Sequence, residues 1–268
     1  MNSSFTLYKY RDWNNPDHKR IILANELYVP PIKEINDPFD FKISPDYTFL
    51  DTAEKQENYI QYLVDSALPT LKSKDINIEA KIKELKILFA NNEHKKILEF
   101  EYENHTNSMI ENHYGICSFS KRWDSILMWT HYSANHSGIC IGFNNKEIES
   151  LKYFGCWGAV DYREDFPKIN PLDPNSIESL LIQSHTKAKE WEYEQEFRFV
   201  KLWEPTPPNL DEKKITLNKN CIVEIILGLK IENETKNELT ALAGERKIPL
   251  YQIVKTRKKF QFERIVIK

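Results

Sequence analysis

The stretch WEYEQEFR, from Trp191 to Arg198, carries two carboxylates and a guanidinium at alternate positions. If this stretch is a strand, Glu194, Glu196 and Arg198 project from one face, because side chains at i, i+2 and i+4 of a strand share a face. Two carboxylates held together make one of them harder to ionise, and a neighbouring guanidinium offsets that cost. Such a trio suits a site that stabilises developing positive charge and binds sugar hydroxyls. The alternative is an exposed strand face with a cross-strand ion pair.

A second candidate segment, MWTHYSANHSG at 128–138, concentrates polar side chains before a glycine and an apolar strand. Its polar members are Thr130, His131, Tyr132, Ser133, Asn135 and His136. The two histidines are five positions apart and do not share a face of a regular helix, so a metal-binding pair is not predicted. The alternative is a capped helix end with a buried, hydrogen-bonded histidine.

The first predicted strand, LYKYR at 7–11, places Lys9 and Arg11 on the face opposite Tyr8 and Tyr10. Cations in this position could bind a diphosphate or orient a ribose. They could equally be strand-edge charges that discourage aggregation. The chain has no glycine-rich phosphate loop, so a phosphate cradle of that kind is not predicted.

Composition restricts the classes of function. The formal net charge of −3 gives no overall reason to expect nucleic acid or an anionic membrane as a partner. The local basic run Lys255–Lys259 is predicted to be a solvated turn between two strands. The four cysteines form no CxxC pair, and no metal site is predicted. No signal peptide or membrane span is recognised, so we expect a cytoplasmic protein with reduced cysteines and no membrane partner.

The hydrophobic patterns predict an α+β fold with a mainly antiparallel sheet flanked by helices. Strand-like segments occur near both ends of the chain. Between them, residues 52–112 show apolar positions at helical spacing among many Lys, Glu and Asn residues. We predict a single domain, 1–268, in which 52–112 is a helical insertion or cap.

Five motifs together resemble the bacterial domain-of-unknown-function family 2971. In chain order they are LYKYR, INDPFD, GICSFS, LMWTHYSANHSGICIGF and WEYEQEFR. The resemblance extends from about residue 6 to about residue 255, with 52–112 as the variable part. The family name implies no activity.

The order of these elements is also similar to the ADP-ribosyltransferase fold. That resemblance implies a split antiparallel sheet that binds NAD as a substrate, with no catalytic metal. It implies that Arg11 or Lys9 supplies the cation of the first strand and that Tyr132 or His131 supplies the middle element. Glu196, with Glu194 as the less favoured choice, matches the glutamate of a late strand. The implied catalytic residues are therefore Glu196, Glu194, His131 and Tyr132.

The implied NAD-binding residues are Lys9, Arg11, Trp129, His136 and Arg198. Tyr132 or Trp129 would stack on nicotinamide. Arg11 and Arg198 would hold the diphosphate, or Arg198 would only orient Glu196. The implied activity is cleavage of the nicotinamide–ribose bond, with a nucleic acid, a protein or a nucleotide as the acceptor.

Bacterial proteins with such folds often act as toxins or phage-defence effectors, and some have an antitoxin partner. Two other functions fit the same residues. One is a metal-dependent nuclease with Glu194 and Glu196 as Mg²⁺ ligands and His131 as the base. The other is a non-catalytic module of a defence system that binds another protein through 52–112.

Overall fold

The computed structural model describes residues 4–91, 94–101, 107–173 and 176–267. The chain forms two compact units. The first comprises Met1–Ile35, Asn112–Tyr162 and Lys187–Lys268, and the second comprises Asn36–Glu111 and Arg163–Thr186. The predicted insertion, 52–112, lies in the second unit up to Glu111. The organisation as a single domain stays a prediction.

The described residues contain twelve strands, numbered along the chain. They are β1 (Thr6–Arg11), β2 (Glu26–Tyr28), β3 (Tyr114–Ser120), β4 (Ile139–Asn144), β5 (Cys156–Ala159), β6 (Asp161–Arg163), β7 (Thr186–Ala188), β8 (Glu196–Leu202), β9 (Lys214–Thr216), β10 (Ile222–Leu227), β11 (Leu250–Lys255) and β12 (Phe262–Val266). Eight of them form the sheet of the first unit, in the order β12-β11-β10-β4-β1-β3-β8-β5. Only the pair β10–β11 in this sheet is parallel.

Helices account for most of the remaining regular structure. They are α1 (Pro16–Leu23), α2 (Ala53–Ser73), α3 (Ile78–Ala90), α4 (His94–Glu101), α5 (Asn107–His113), α6 (Ile126–Tyr132), α7 (Asn145–Ser150), α8 (Ile177–His185) and α9 (Asn233–Arg246). Short polar side chains begin several of them. Ser125, for example, accepts a hydrogen bond from the backbone N–H of Met128 and so caps α6.

The two faces of the large sheet are covered by different hydrophobic clusters. Leu7 on β1 and Ile141 on β4 belong to the larger cluster, which includes residues of α1 and α9. Their neighbours Tyr8 and Cys140 belong to a smaller cluster, which includes residues of α6. Successive side chains of a strand point to opposite faces, so the alternation in sequence becomes two separate cores.

The pairing between β1 and β3 is much shorter than the pairings on either side. Six residue pairs join β1 to β4 and seven join β3 to β8. Only Tyr8 and Ser120 pair between β1 and β3. The sheet is therefore continuous, but a single residue pair joins β1 to β3.

A left-handed turn leads from α6 to β4. Ala134, Asn135 and His136 have φ angles of 46°, 52° and 72°. Residues other than glycine rarely adopt this backbone region, and each one raises the free energy of the folded state by about 1–3 kcal/mol. Backbone hydrogen bonds hold the turn: His136 N–H donates to the Trp129 carbonyl, and the Lys230 N–H donates to the His136 carbonyl.

The second unit is mainly helical. Its hydrophobic cluster joins α2, α3 and α4 through Tyr59, Phe89 and Leu98. Tyr47 belongs to the same cluster, and its ring centroid lies 6.0 Å from that of Tyr59. Helices α2, α3, α4 and most of α5 lie within residues 52–112, and the role of this stretch as an insertion or cap stays a prediction.

The predicted fold class is confirmed. The chain combines helices with a large, mostly antiparallel sheet that helices flank. Over the described residues, no helix combines the length and the apolar character needed to cross a membrane.

Candidate active site

The WEYEQEFR segment is only partly a strand, so its predicted conformation was wrong in its first half. Lys189–Glu194 forms a 3₁₀ helix, and β8 begins at Glu196. Gln195 between them is left-handed, with φ 44° and ψ 55°. Its N–H donates to the Glu192 carbonyl, which ends the helix. The period-2 pattern fails here because a left-handed residue changes the direction of the chain.

The two carboxylates nevertheless meet, through a lysine. The Lys187 Nζ atom lies 2.7 Å from Glu194 Oε2 and 3.3 Å from Glu196 Oε2. Arg198 Nη2 lies 2.9 Å from the same Oε2 atom of Glu196. These four residues, here called the charge cluster, carry two negative and two positive charges.

The charge cluster is buried. Glu194 and Glu196 are 4% and 5% exposed, and Arg198 is 0% exposed. The ring of Trp191 covers Lys187, whose Nζ is 4.7 Å from the ring centroid. Buried charges are tolerated when they are paired and hydrogen-bonded. The alternative of an exposed strand face therefore does not describe this site.

Two tyrosines add hydrogen bonds to the acidic residues. The Tyr132 hydroxyl, at the end of α6, donates to Glu194 Oε1 at 2.7 Å. The Tyr162 hydroxyl accepts the backbone N–H of Glu196 at 2.7 Å. Ser120 Oγ donates to the Glu194 carbonyl at 2.6 Å. Three separate segments thus hold the position of the two acidic residues.

The two carboxyl groups have opposite pKa shifts. Burial alone would raise the pKa of Glu196, but the charges of Arg198 and Lys187 outweigh it and lower the pKa to about 2. Burial raises the pKa of Glu194, and the negative charge of Glu196 adds to this effect, while Lys187 opposes it. Paired carboxyl groups with divergent pKa values are typical of acid–base sites, in which one stays ionised and the other exchanges a proton.

Lys187 stays protonated in this environment. Burial lowers its pKa, but the two carboxylates outweigh the burial and raise the pKa above its ordinary value. Lys187 was not among the predicted site residues, because no local pattern showed that a helix would end just before it. The helix α8 ends at His185, and Lys187 lies on β7 instead.

Lys9 and Arg11 lie on the opposite face of the sheet from the charge cluster. Lys9 pairs with Ile141 in the larger core cluster, whereas Glu196 aligns with Ser120 and Tyr8 on the other face. Lys9 Nζ donates to the Ser118 carbonyl at 2.6 Å. Burial lowers the pKa of Lys9 to about 8 and that of Arg11 to about 10.

Trp129, predicted to stack on a ligand, lies in the smaller core cluster at 0% exposure. Its Nε1 donates to the Trp123 carbonyl at 2.7 Å, and its ring packs edge-on against Tyr10. The packing of its ring leaves no open face for a nicotinamide.

The two histidines lie outside the charge cluster. His131 is exposed, with its ring centroid 6.2 Å from that of Tyr193. His136 Nε2 lies 3.1 Å from Thr130 Oγ1, and the His136 ring packs edge-on against Phe262. Burial lowers the pKa of His136, and the nearby Lys230 and Lys255 lower it further.

Of the predicted site residues, the structure therefore groups Tyr132, Glu194, Glu196 and Arg198. It adds Lys187 and Tyr162, which were not among the predicted residues. Among the described residues, no group of three or more His, Cys, Asp or Glu side chains could hold a metal ion.

Comparison with protein families gives one match. Residues 128–199 match the family described as protein of unknown function (DUF2971). The match confirms the family recognised from the motifs, over a segment that includes Tyr132, Tyr162 and the whole charge cluster. No curated protein and no solved structure matches the chain.

Proposed function

We propose that this protein with a DUF2971 segment is an ADP-ribosyltransferase-like enzyme that cleaves the nicotinamide–ribose bond of NAD. One observation carries the proposal: two buried carboxylates two residues apart share one ammonium and have opposite pKa shifts. Glu196 is the permanently ionised group, and Glu194 is the group that accepts a proton.

The ionised Glu196 suits the bond-breaking step. As the bond between the ribose C1 and the nicotinamide nitrogen breaks, nicotinamide leaves with the bonding electrons and positive charge develops on the ribose. A fixed carboxylate stabilises that charge, and it also accepts a hydrogen bond from a ribose hydroxyl. Because the pKa of Glu196 is about 2, it is ionised at every physiological pH.

The raised pKa of Glu194 suits the second half of the reaction. An acceptor oxygen or nitrogen bonds to the ribose C1 and loses a proton, which Glu194 takes. The products are the ADP-ribosylated acceptor, nicotinamide and one proton. A general base works best when its pKa lies near the working pH, and burial moves Glu194 in that direction.

Arg198 and Lys187 act as positioning residues in this proposal. Arg198 is fully buried and pairs with Glu196. We therefore assign it the role of orienting that carboxylate and not that of holding a diphosphate. Lys187 fixes the separation of the two acids by binding both. Tyr132 donates a hydrogen bond to the carboxylate oxygen of Glu194 that Lys187 does not contact.

The weak junction between β1 and β3 supports a site of this kind. Ser120 is the residue that pairs with Tyr8 across the junction, and it also pairs with Glu196 on the other side. Glu196 therefore lies one strand away from the shortest pairing in the sheet. A split antiparallel sheet is the feature that the resemblance to ADP-ribosyltransferases implies.

The nuclease alternative has less support. It requires a divalent cation between Glu194 and Glu196, where the Lys187 ammonium already contacts both carboxylates. A metal ion would have to displace a buried charge of the same sign. In addition, His131, the base in that alternative, is exposed beside Tyr193.

The proposal is tested by incubating the purified protein with NAD and measuring released nicotinamide by chromatography. Glu196→Gln should reduce release by at least about 100-fold, because it removes the charge that stabilises the transition state. Glu224→Gln is the matched control, since Glu224 is also a buried carboxylate paired with an arginine of the same sheet. This control should retain activity.

Equal nicotinamide release by the wild type and Glu196→Gln would overturn the proposal. So would the absence of release with nucleic acid, protein and nucleotide acceptors, and the non-catalytic binding module would then be favoured. The role as a toxin or defence effector predicts that expression of the wild type slows bacterial growth and that expression of Glu196→Gln does not.

A further inference from the structure

The turn between β11 and β12 is strongly basic and open to solvent. Lys255, Arg257, Lys258 and Lys259 are all exposed. None of the four forms an ion pair with any residue in the part of the chain that the structure describes. The nearest acidic residue along the chain, Glu263, lies on β12 opposite Val254. The turn is thus a local concentration of uncompensated positive charge on a chain whose net charge is −3.

The same turn exposes an aromatic ring. Phe260 is 98% exposed, although burying a phenylalanine side chain is worth about 1.5–3 kcal/mol. Two residues later, Phe262 is half-buried and packs against the His136 ring at 5.6 Å. Folding alone does not explain an apolar ring that is exposed to water among four cations. The combination suits a ligand that is both anionic and aromatic.

Partly exposed rings continue from this turn toward the charge cluster. The Arg264 guanidinium lies 4.5 Å from the Tyr251 ring centroid and 5.2 Å from that of Trp123. Tyr251 and Trp123 pack against the smaller core cluster, as do Tyr132 and Tyr193. These rings, with Phe262, are here called the aromatic strip. Because Tyr132 hydrogen-bonds to Glu194, the strip and the charge cluster lie on the same face of the sheet.

We infer that the acceptor of this enzyme is a single-stranded nucleic acid, a conclusion that rests on the proposed function. Its phosphates bind the basic turn, and its bases stack on Phe260 and the aromatic strip. Basic side chains interleaved with rings are the general means of binding single strands, because every base has a face that can stack. A duplex keeps its bases stacked on one another and uses only the basic turn.

The transfer step is the one given above, with the nucleic acid as the nucleophile. A base nitrogen that carries a hydrogen atom bonds to the ribose C1, nicotinamide leaves with the electrons of the broken bond, and Glu194 accepts the proton that the base nitrogen loses. No oxidant, reductant or metal ion is needed. The products are an ADP-ribosylated strand, nicotinamide and one proton.

Binding is measured by fluorescence anisotropy with a labelled single-stranded DNA of mixed sequence, over a range of salt concentrations. The triple variant Arg257→Ala, Lys258→Ala, Lys259→Ala should bind at least tenfold more weakly than the wild type at low salt. Its plot of log affinity against log salt should be shallower by about 2, because each phosphate contact to a single strand contributes about 0.7.

The matched control replaces Lys72, Lys74 and Lys83, three exposed lysines of the second unit, with alanine. It removes the same charge and should leave the affinity unchanged. Phe260→Ala tests stacking and should weaken single-strand binding about tenfold. Leu210→Ala, at another exposed apolar residue, is its control and should have no effect.

Equal weakening by the control triple variant, or equal affinity of the wild type for single strands and duplexes, would overturn the inference. Transfer is followed with NAD labelled in its adenylate phosphate, and the label should appear on the oligonucleotide. Label found only on protein would also overturn it. With water as the only acceptor, nicotinamide release by the variants of the basic turn should equal that of the wild type. Single-strand binding without any nicotinamide release would instead refute the proposed function and leave the nucleic-acid surface in place.

Discussion

Two buried carboxylates, Glu196 and Glu224, lie in one row across the large sheet. Adjacent strands connect them through the paired residues Glu224, Gly142, Tyr8, Ser120 and Glu196. Each carboxylate has an arginine partner and a nearby tyrosine. Near Glu224, Gly142 provides the space, since a Cβ atom there would lie 2.5 Å from Glu224 Cγ.

The two regions differ in what surrounds the ion pair. Arg264, the partner of Glu224 at 2.7 Å, has a side chain that is 30% exposed. Arg198, the partner of Glu196, is buried, and Lys187 adds a second buried cation. The region of Glu196 also contains a second carboxylate, Glu194, which pairs with the same lysine.

The comparison distinguishes a carboxylate that pairs with one arginine from two carboxylates that share an ammonium. Burial raises the pKa of Glu194, whereas at Glu196 the charges of Arg198 and Lys187 outweigh burial and lower the pKa. At Glu224, the single carboxylate and its arginine mainly attach the edge strand β12 to β10.

The largest effect is expected from removing the cation that the two acids share. Lys187→Met should lower the free energy of unfolding by about 3–5 kcal/mol, because it removes the cation that pairs with the buried Glu194 carboxylate. Arg264→Met should cost about 1 kcal/mol, because its ion pair is partly solvated. Urea unfolding of both variants measures the difference, and equal losses would contradict the distinction between the two regions.

The next effect concerns the pH dependence of catalysis. Since the pKa of Glu194 is raised, NAD turnover should fall as the pH decreases through a value above the ordinary glutamate pKa. Glu194→Gln should reduce turnover about 100-fold or more and remove this acid limb. A pH–rate profile of the two proteins provides the measurement. Glu224→Gln should keep the limb, and a limb that persists in Glu194→Gln would exclude Glu194 as the base.

A third effect concerns stability in acid. The pKa of Glu196 is lower in the folded protein than in the unfolded chain, so its ion pairs stabilise the fold above the ordinary pKa of glutamate. That contribution should be lost as the pH falls from about 4.5 toward about 2. Unfolding free energies of the wild type and Glu196→Gln should therefore converge over this range. Parallel curves would show that Glu196 is not the group responsible.

The smallest effect is expected from removing a tyrosine hydroxyl in each region, Tyr132 near Glu194 and Tyr8 near Glu224. Tyr132→Phe removes the hydrogen bond to Glu194 and should lower NAD turnover about tenfold, since hydrogen bonds to charged groups contribute about 1.5–3 kcal/mol. Tyr8→Phe removes the hydroxyl near Glu224 and should leave turnover unchanged. Steady-state kinetics at one pH compare the two variants. An equal loss of turnover in both variants would place the active site nearer to Tyr8, the middle residue of the row from Glu224 to Glu196.

The sequence was sufficient to predict the fold class. It also predicted that the two acidic side chains lie together, but they meet through Lys187 and not through the alternation of one strand. Alternation predicted β1, a continuous apolar run predicted β4, and the positions of Glu194 and Glu196 predicted two neighbouring carboxylates. Lys187 was missed because its contacts depend on where α8 ends, and no local pattern marked that point. The role of Lys187 becomes apparent only in the folded structure, where it lies beside both acidic residues.

The relation of Lys9 and Arg11 to the site could not be read from the sequence. Their shared face was predicted correctly, but which face Glu196 occupies depends on the register between strands. One residue of shift between β1 and β3 would bring them to the same side. The observed pair, Tyr8 with Ser120, places the tyrosines there instead.

The left-handed turn before β4 has a consequence for recognising similar chains. Ala134, Asn135 and His136 all have positive φ, a region in which valine, isoleucine and threonine are strongly disfavoured. Chains that preserve this corner should therefore exclude branched side chains from three successive positions and tolerate glycine, asparagine or aspartate. That exclusion is a sequence filter that is independent of the acidic residues, and it can separate true relatives from chains that share only the ExE spacing.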